Sequence, residues 1–249
     1  MEHRIAVLMR FSKNLDYDAS MIADTDQQKE GKPHLPPKPL SKNAERVAKI
    51  AEKLVTLSHE VLKNEEKANF LLMRGFSSMP HMPSFEEAFG LKALAIATYP
   101  MYRGLAKLVE MDTPAIEGSV EDEIEFLKKR YSDYDFFFLH VKKPDSYGED
   151  GNFEGKVARI EEFDRLLPQI LNLKPDVLII TGDHCTPCLL KSHSWHPVPV
   201  LLKSPYVFGG LCSAFTERES TKGEFGIFPT LNLMPLALAN SLRLKKFGA

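Results

Sequence analysis

Residues 176–200 read DVLIITGDHCTPCLLKSHSWHPVPV, and this stretch decides the fold. The apolar run Val177-Leu178-Ile179-Ile180 is bounded by polar residues, as a short buried strand would be. Gly182-Asp183-His184 follows at once, so a carboxylate and an imidazole leave the strand side by side at its carboxyl end, where open α/β sheets bind ligands. His193 comes nine residues after His184 and precedes a second apolar run, 197–202. Acidic and histidine side chains on loops after strands are the donors a divalent cation requires. Asp and His after a strand also serve as helix caps and turn formers, so this pair alone does not decide between the two roles.

Working outward, short apolar segments alternate with helical ones. Upstream, residues 133–141 (DYDFFFLHV) and 91–98 are expected strands, and 102–110 a helix. Ser119 with Asp122 three residues on forms a short capping box for a helix to about Tyr131. Residues 153–173 should form a long amphipathic helix bent at Pro168, and about 231–245 a final one. Nearer the start, 3–11 and 68–73 read as strands and 85–89 as a short helix. A helix is expected from an N-cap at Ser41, with Ala44, Val47, Ile50, Ala51, Leu54, Leu57, Val61 and Leu62 near a 3.6-residue period. Residues 24–40 carry four prolines and read as a linker, which puts a boundary near residue 40. This alternation predicts an α/β fold, mostly a parallel sheet with helices on both faces.

The strand at 133–141 runs into KKPDSYGEDG (142–151), expected to be a glycine-containing loop with Asp145 and Glu149 four residues apart. Read by itself this is an ordinary solvated acidic turn. Together with Asp183, His184 and His193 it supplies three carboxylates and two imidazoles at neighbouring strand ends. That mixture suits Mn²⁺ or Mg²⁺, and also Zn²⁺. Two such ions a few ångströms apart can clamp a phosphoryl group and activate a nucleophile.

Composition narrows the remaining classes. A net charge of −2 gives no general attraction to nucleic acid or to anionic membranes. No apolar run approaches the roughly 18 residues of a membrane span. Three cysteines and no signal-like N-terminus point to a reducing, cytoplasmic setting. Cys185-Thr186-Pro187-Cys188 has redox spacing, yet lies inside the motif just described, where small half-buried side chains suffice. A phosphate-cradling P-loop spacing is absent. His34, His59 and His81 are isolated and read as surface or packing residues.

PDxxGEDG followed by Lys156 and Ile160-Glu161, then TGDHxTP, HSxxPVP and a terminal KFGA, resembles the C-terminal half of the archaeal-type cofactor-independent phosphoglycerate mutases of the alkaline phosphatase superfamily. Ala68-Asn69, Arg74-Gly75, Pro83, Phe85, Gly90-Leu91 and Arg103-Gly104 extend the resemblance upstream. It implies interconversion of 3- and 2-phosphoglycerate through a phosphoserine, with two divalent cations and no organic cofactor. Asp183 and His184 would hold the ion beside the serine, and Asp145 and His193 the second. Glu149 would join them where many superfamily members have a histidine, which favours a harder metal. Arg4 and Arg74 would meet phosphate or carboxylate.

Residues 1–40 would be the tail of an inserted substrate-binding subdomain and its linker, and 41–249 the metal-binding core. In that family a strand with a metal-binding Asp, and then the nucleophilic Ser, precede the inserted subdomain. Ser77 and Ser78 lie after Arg74-Gly75, out of order for that role. The chain is therefore expected to lack the N-terminal portion, with no catalytic serine of its own. The alternatives are a non-catalytic or split-enzyme fragment needing a partner chain, or a related metal-dependent phosphatase.

Overall fold

A computed structural model describes residues 5–29 and 31–244. The chain divides into two compact units, Met1–His81 and Met82–Ala249. In the first, α1 (Glu45–Leu62) buries Val47, Ala48, Ala51 and Val55 along one stripe. That stripe packs with Ala19, Ile22 and Met73 and with the half-buried Met9, Phe11 and Phe76.

Three expectations fail in this unit. Residues 5–11 form no strand, and Ile5 and Leu8 are exposed. β-propensity becomes a strand only where a partner edge meets it. Residues 68–73 are likewise irregular. Met73 instead accepts the Thr25 N–H at 2.9 Å and donates its own to Thr25 Oγ1 at 2.7 Å, so a buried hydroxyl stands in for a ladder. Ser41 is not the helix N-cap: its hydroxyl accepts the Ala44 N–H at 3.1 Å and closes the turn before α1.

The second unit opens with α2 (Phe85–Phe89), capped by a Ser84–Glu87 box. There follow β1 (Ala93–Ala97), α3 (Pro100–Leu108), α4 (Val120–Arg130) and β2 (Phe136–His140). Ser119 and Asp122 cap α4 reciprocally, as the spacing predicts. β1 and β2 pair in parallel, from Ala93↔Phe136 to Ala97↔His140. All five residues of β1 are buried. Ala93 and Ala95 face Ala106 of α3 and Met111, whereas Leu94 and Ile96 face Leu127 of α4 and Ile116. Alternate side chains thus enter opposite layers, the arrangement of a parallel strand covered on both faces.

Residues 142–151, expected as a loop, form helix α5 (Lys143–Asp150). Pro144 suits a first turn, and Gly151 takes the left-handed conformation (φ 72°) that stops the helix. α6 (Phe153–Leu171) begins where the Asn152 side chain accepts the Gly155 N–H at 2.9 Å, and it continues through Pro168. The chain then forms β3 (Leu178–Ile180) and β4 (Leu201–Lys203), an antiparallel pair. α7 (Glu217–Ser220) and α8 (Leu233–Asn240) complete the described residues. β2 and β3 are not hydrogen-bonded to each other. The terminal KFGA motif and Arg4 lie outside the described residues.

Candidate metal centre

The segments that follow β2 and β3 meet. On the β2 side, helical spacing places Asp145 and Glu149 one turn apart on the same face of α5. On the β3 side, an isolated antiparallel bridge joins Cys185 to Ser194, with the Ser194 N–H donated to the Cys185 carbonyl at 2.9 Å. The bridge folds the 181–200 segment on itself, and in this antiparallel register the residues just before each partner are diagonal neighbours, close enough for ring side chains to meet. These are His184 and His193, whose rings stack at 3.7 Å.

His193 Nε2 lies 3.5 Å from Glu149 Oε1 and 3.8 Å from Asp145 Oδ1. His184 Nε2 lies 3.3 Å from Asp183 Oδ2, while its Nδ1 is 3.8 Å from Asp145 Oδ1. One donor atom each from Asp145, His184 and His193 falls within 4.8 Å of the others. Ligand bonds of about 2.0–2.3 Å put two donors on one ion at most ~4.5 Å apart, so a small side-chain adjustment brings this group into range.

The electrostatics favour ionised oxygen donors. Burial pushes the Asp145 carboxyl up, but hydrogen bonds from Lys142 and Thr186 and the nearby His184 outweigh it, leaving it below the usual range. Asp183 behaves alike: burial is outweighed by the Tyr102 hydroxyl and by His184. Tyr102 stacks on His140 at 3.7 Å, and its phenol is pushed well up by burial and by Asp183. Burial lowers the basicity of His140. With ionised carboxylates, imidazoles and a half-exposed mouth at Glu149 and His193, the donor set fits a divalent cation.

Tyr102, Lys142 and Thr186 touch these side chains and are not among the residues the sequence singles out. Thr186 lies within the TGDHxTP motif and Lys142 at a strand end, so both had a positional signal; Tyr102, on α3, had none. Arg74 belongs to the first unit, where its guanidinium lies 3.5 Å from Asp26. Cys185 is a free, half-buried cysteine whose thiol is raised by burial, the opposite of a reactive redox thiol.

Comparison with known proteins agrees with the motifs. The family model described as "Metalloenzyme superfamily" matches residues 39–240, and that of the 2,3-bisphosphoglycerate-independent phosphoglycerate mutases matches residues 1–68. A relative from Aquifex aeolicus, named a probable 2,3-bisphosphoglycerate-independent phosphoglycerate mutase, is 57% identical over all of this chain and 61% of its own length. One of the same name from Thermus thermophilus is 49% identical, again over 100% of this chain and 61% of the relative.

Among solved structures, the PH0037 protein from Pyrococcus horikoshii superposes with a TM-score of 0.76 at 32% identity, covering 84% of this chain and 60% of that one. The cofactor-independent phosphoglycerate mutase from Thermoplasma acidophilum shares the fold, with a TM-score of 0.58 at 22% identity over 89% and 59%. The chain thus spans about three-fifths of the length of these relatives. It belongs to the metalloenzyme superfamily, with the 2,3-bisphosphoglycerate-independent phosphoglycerate mutases as its relatives there.

Proposed function

We propose that this chain forms the metal-holding part of a 2,3-bisphosphoglycerate-independent phosphoglycerate mutase, which interconverts 3- and 2-phosphoglycerate through a phosphoserine. The observation that carries the reading is the meeting of Asp145, Glu149, Asp183, His184 and His193 beyond the carboxyl ends of β2 and β3. In this reading Asp183 and His184 hold one cation and Asp145, Glu149 and His193 the other. Mn²⁺ or Mg²⁺ suits the oxygen-rich set best, with Zn²⁺ also accommodated. Such ions, when bound, neutralise phosphoryl oxygens and ease deprotonation of an attacking hydroxyl.

The chain's own side chains prepare that step. Lys142 holds Asp145 ionised, Tyr102 orients Asp183 by donating to it, and Glu149 and His193 leave the mouth open to substrate. Arg74, and Arg4 in the tail of a substrate-binding subdomain over residues 1–40, would take the carboxylate or phosphate of phosphoglycerate. The nucleophilic serine would come from sequence other than these 249 residues, whether in the same polypeptide or on a partner chain. Among the described residues no helix is long and apolar enough to cross a membrane; the reading places the chain in the cytoplasm.

The test is a coupled mutase assay with Mn²⁺ on this chain alone, and on this chain mixed with the portion of the Aquifex relative that it does not span. Turnover only in the mixture supports the reading. Turnover by the chain alone refutes the external serine, and phosphate release without isomerisation would make the enzyme a phosphatase.

A further inference from the structure

Thr186 is buried (3% exposed) at the junction of the two halves of the candidate centre. Its hydroxyl lies 2.5 Å from Asp145 Oδ1 and 3.1 Å from His184 Nδ1. A threonine hydroxyl has one proton, and an ionised carboxylate can only accept. The proton therefore goes to Asp145, and the remaining contact is a hydrogen bond only if His184 donates from Nδ1. A neutral imidazole protonated at Nδ1 carries its free lone pair on Nε2, the nitrogen that faces Asp183 Oδ2 at 3.3 Å. The same hydroxyl thus orients one oxygen of Asp145 and selects the tautomer of His184.

The residue is held tightly enough to do this. Lys156 Nζ donates to the Thr186 carbonyl at 2.7 Å. Gly148 of α5 packs so closely that a Cβ there would lie 2.4 Å from that carbonyl oxygen. Thr186 is therefore clamped between α5 and α6, and its hydroxyl has little freedom to choose other partners.

We propose that Thr186 is a positioning residue that presets His184 as the Nδ1–H tautomer and so leaves Nε2 bare for a divalent cation, while steering Asp145 toward the neighbouring position. The proposal rests on the metal-holding reading given above for its purpose, but the tautomer can be read without any metal. Outer partners that fix ligand tautomer and orientation typically change metal affinity by ~10–100-fold when removed. Without the hydroxyl, Nδ1 faces only the Asp145 oxygen at 3.8 Å, beyond hydrogen-bonding distance. The ring is then released to the Nε2–H form that free histidine side chains favour, in which the ligating lone pair is covered.

The experiment is long-range ¹H–¹⁵N correlation spectroscopy of the full chain, metal-free and ¹⁵N-histidine labelled, at a pH where the rings are neutral. His184→Gln assigns the His184 signals. Thr186→Val should lose the pure Nδ1–H pattern and bind Mn²⁺ ~10–100-fold more weakly by calorimetry, and Thr186→Ser should restore both. An Nε2–H pattern in the unsubstituted chain overturns the proposal even if Thr186→Val does not fold, as does an unchanged tautomer in a folded Thr186→Val. If the tautomer responds as expected but the unsubstituted chain takes up no Mn²⁺, Mg²⁺ or Zn²⁺, the metal-holding reading and the role assigned to the tautomer both fall, leaving only a structural hydrogen bond.

Discussion

Two regions of the second unit remove carboxylates from water and treat them in opposite ways. Beside β1, Glu123 of α4 is 2% exposed, and its carboxyl accepts the Thr98 N–H at 3.2 Å. Burial dominates there and pushes its carboxyl up to about 7. At the mouth beyond β2 and β3, Asp145 and Asp183 are also partly buried, yet hydrogen bonds from Lys142 and Thr186 to the one and from Tyr102 to the other, with His184 beside both, keep them below the ordinary range. Burial alone makes a carboxylate reluctant to ionise. Burial with donors makes one that stays ionised and ready to ligate. The difference separates a packing carboxylate from two prospective ligands without reference to any relative.

The largest test of that contrast lies at the mouth. Asp183→Ala and His193→Ala should each weaken Mn²⁺ binding by more than the ~100-fold that a supporting residue contributes, measured by titration calorimetry. Unchanged titrations in both would remove the distinction. The next test concerns Glu123, whose raised value means that the folded chain holds one more proton than the unfolded chain between pH 4.5 and about 7. Its contribution to stability is therefore greatest below pH 4.5 and declines as pH rises through 7, by up to ~3 kcal/mol. Glu123→Gln should abolish that decline in denaturant melts at pH 5 and pH 8, and an unaltered pH dependence would show that the carboxyl is not held protonated. Asp145 and Asp183 have the opposite sign: their contribution is present above the ordinary carboxylate range and is lost as pH falls through their lowered values.

A smaller effect is expected from Gly148→Ala. The added methyl would meet the Thr186 carbonyl oxygen at 2.4 Å, so α5 must shift, at ~1–3 kcal/mol in stability. Measured Tm values that match within error would mean that α5 and the 181–200 segment are not locked together as described.

Much of the fold was legible residue by residue. The Ser119–Asp122 box capped α4, the apolar runs at 91–98 and 133–141 contained β1 and β2, and 153–173 contained α6. These features depend on propensities and side chains within a turn or two of one another. Where a partner from elsewhere decides the outcome, local pattern misled. Residues 5–11 have the composition of a strand but pair with no edge. Residues 142–151 contain Pro, two glycines and several acids, yet form α5, because Gly148 allows close packing on Thr186 and Gly151 stops the helix.

The chain's own letters were enough to propose five candidate donor side chains, to set them after strands, and to suggest the company of metal-dependent phosphotransfer proteins. Periodicity, capping and donor chemistry are written over a few neighbouring positions. Tertiary packing alone decided that His184 stacks on His193 across the fold closed by the Cys185–Ser194 bridge, that Thr186 sits between His184 and Asp145, and that Glu123 is sealed away while Asp145 is served by Lys142. Those relations join residues separated by up to 41 positions, and their distances arise from packing, which no local pattern encodes.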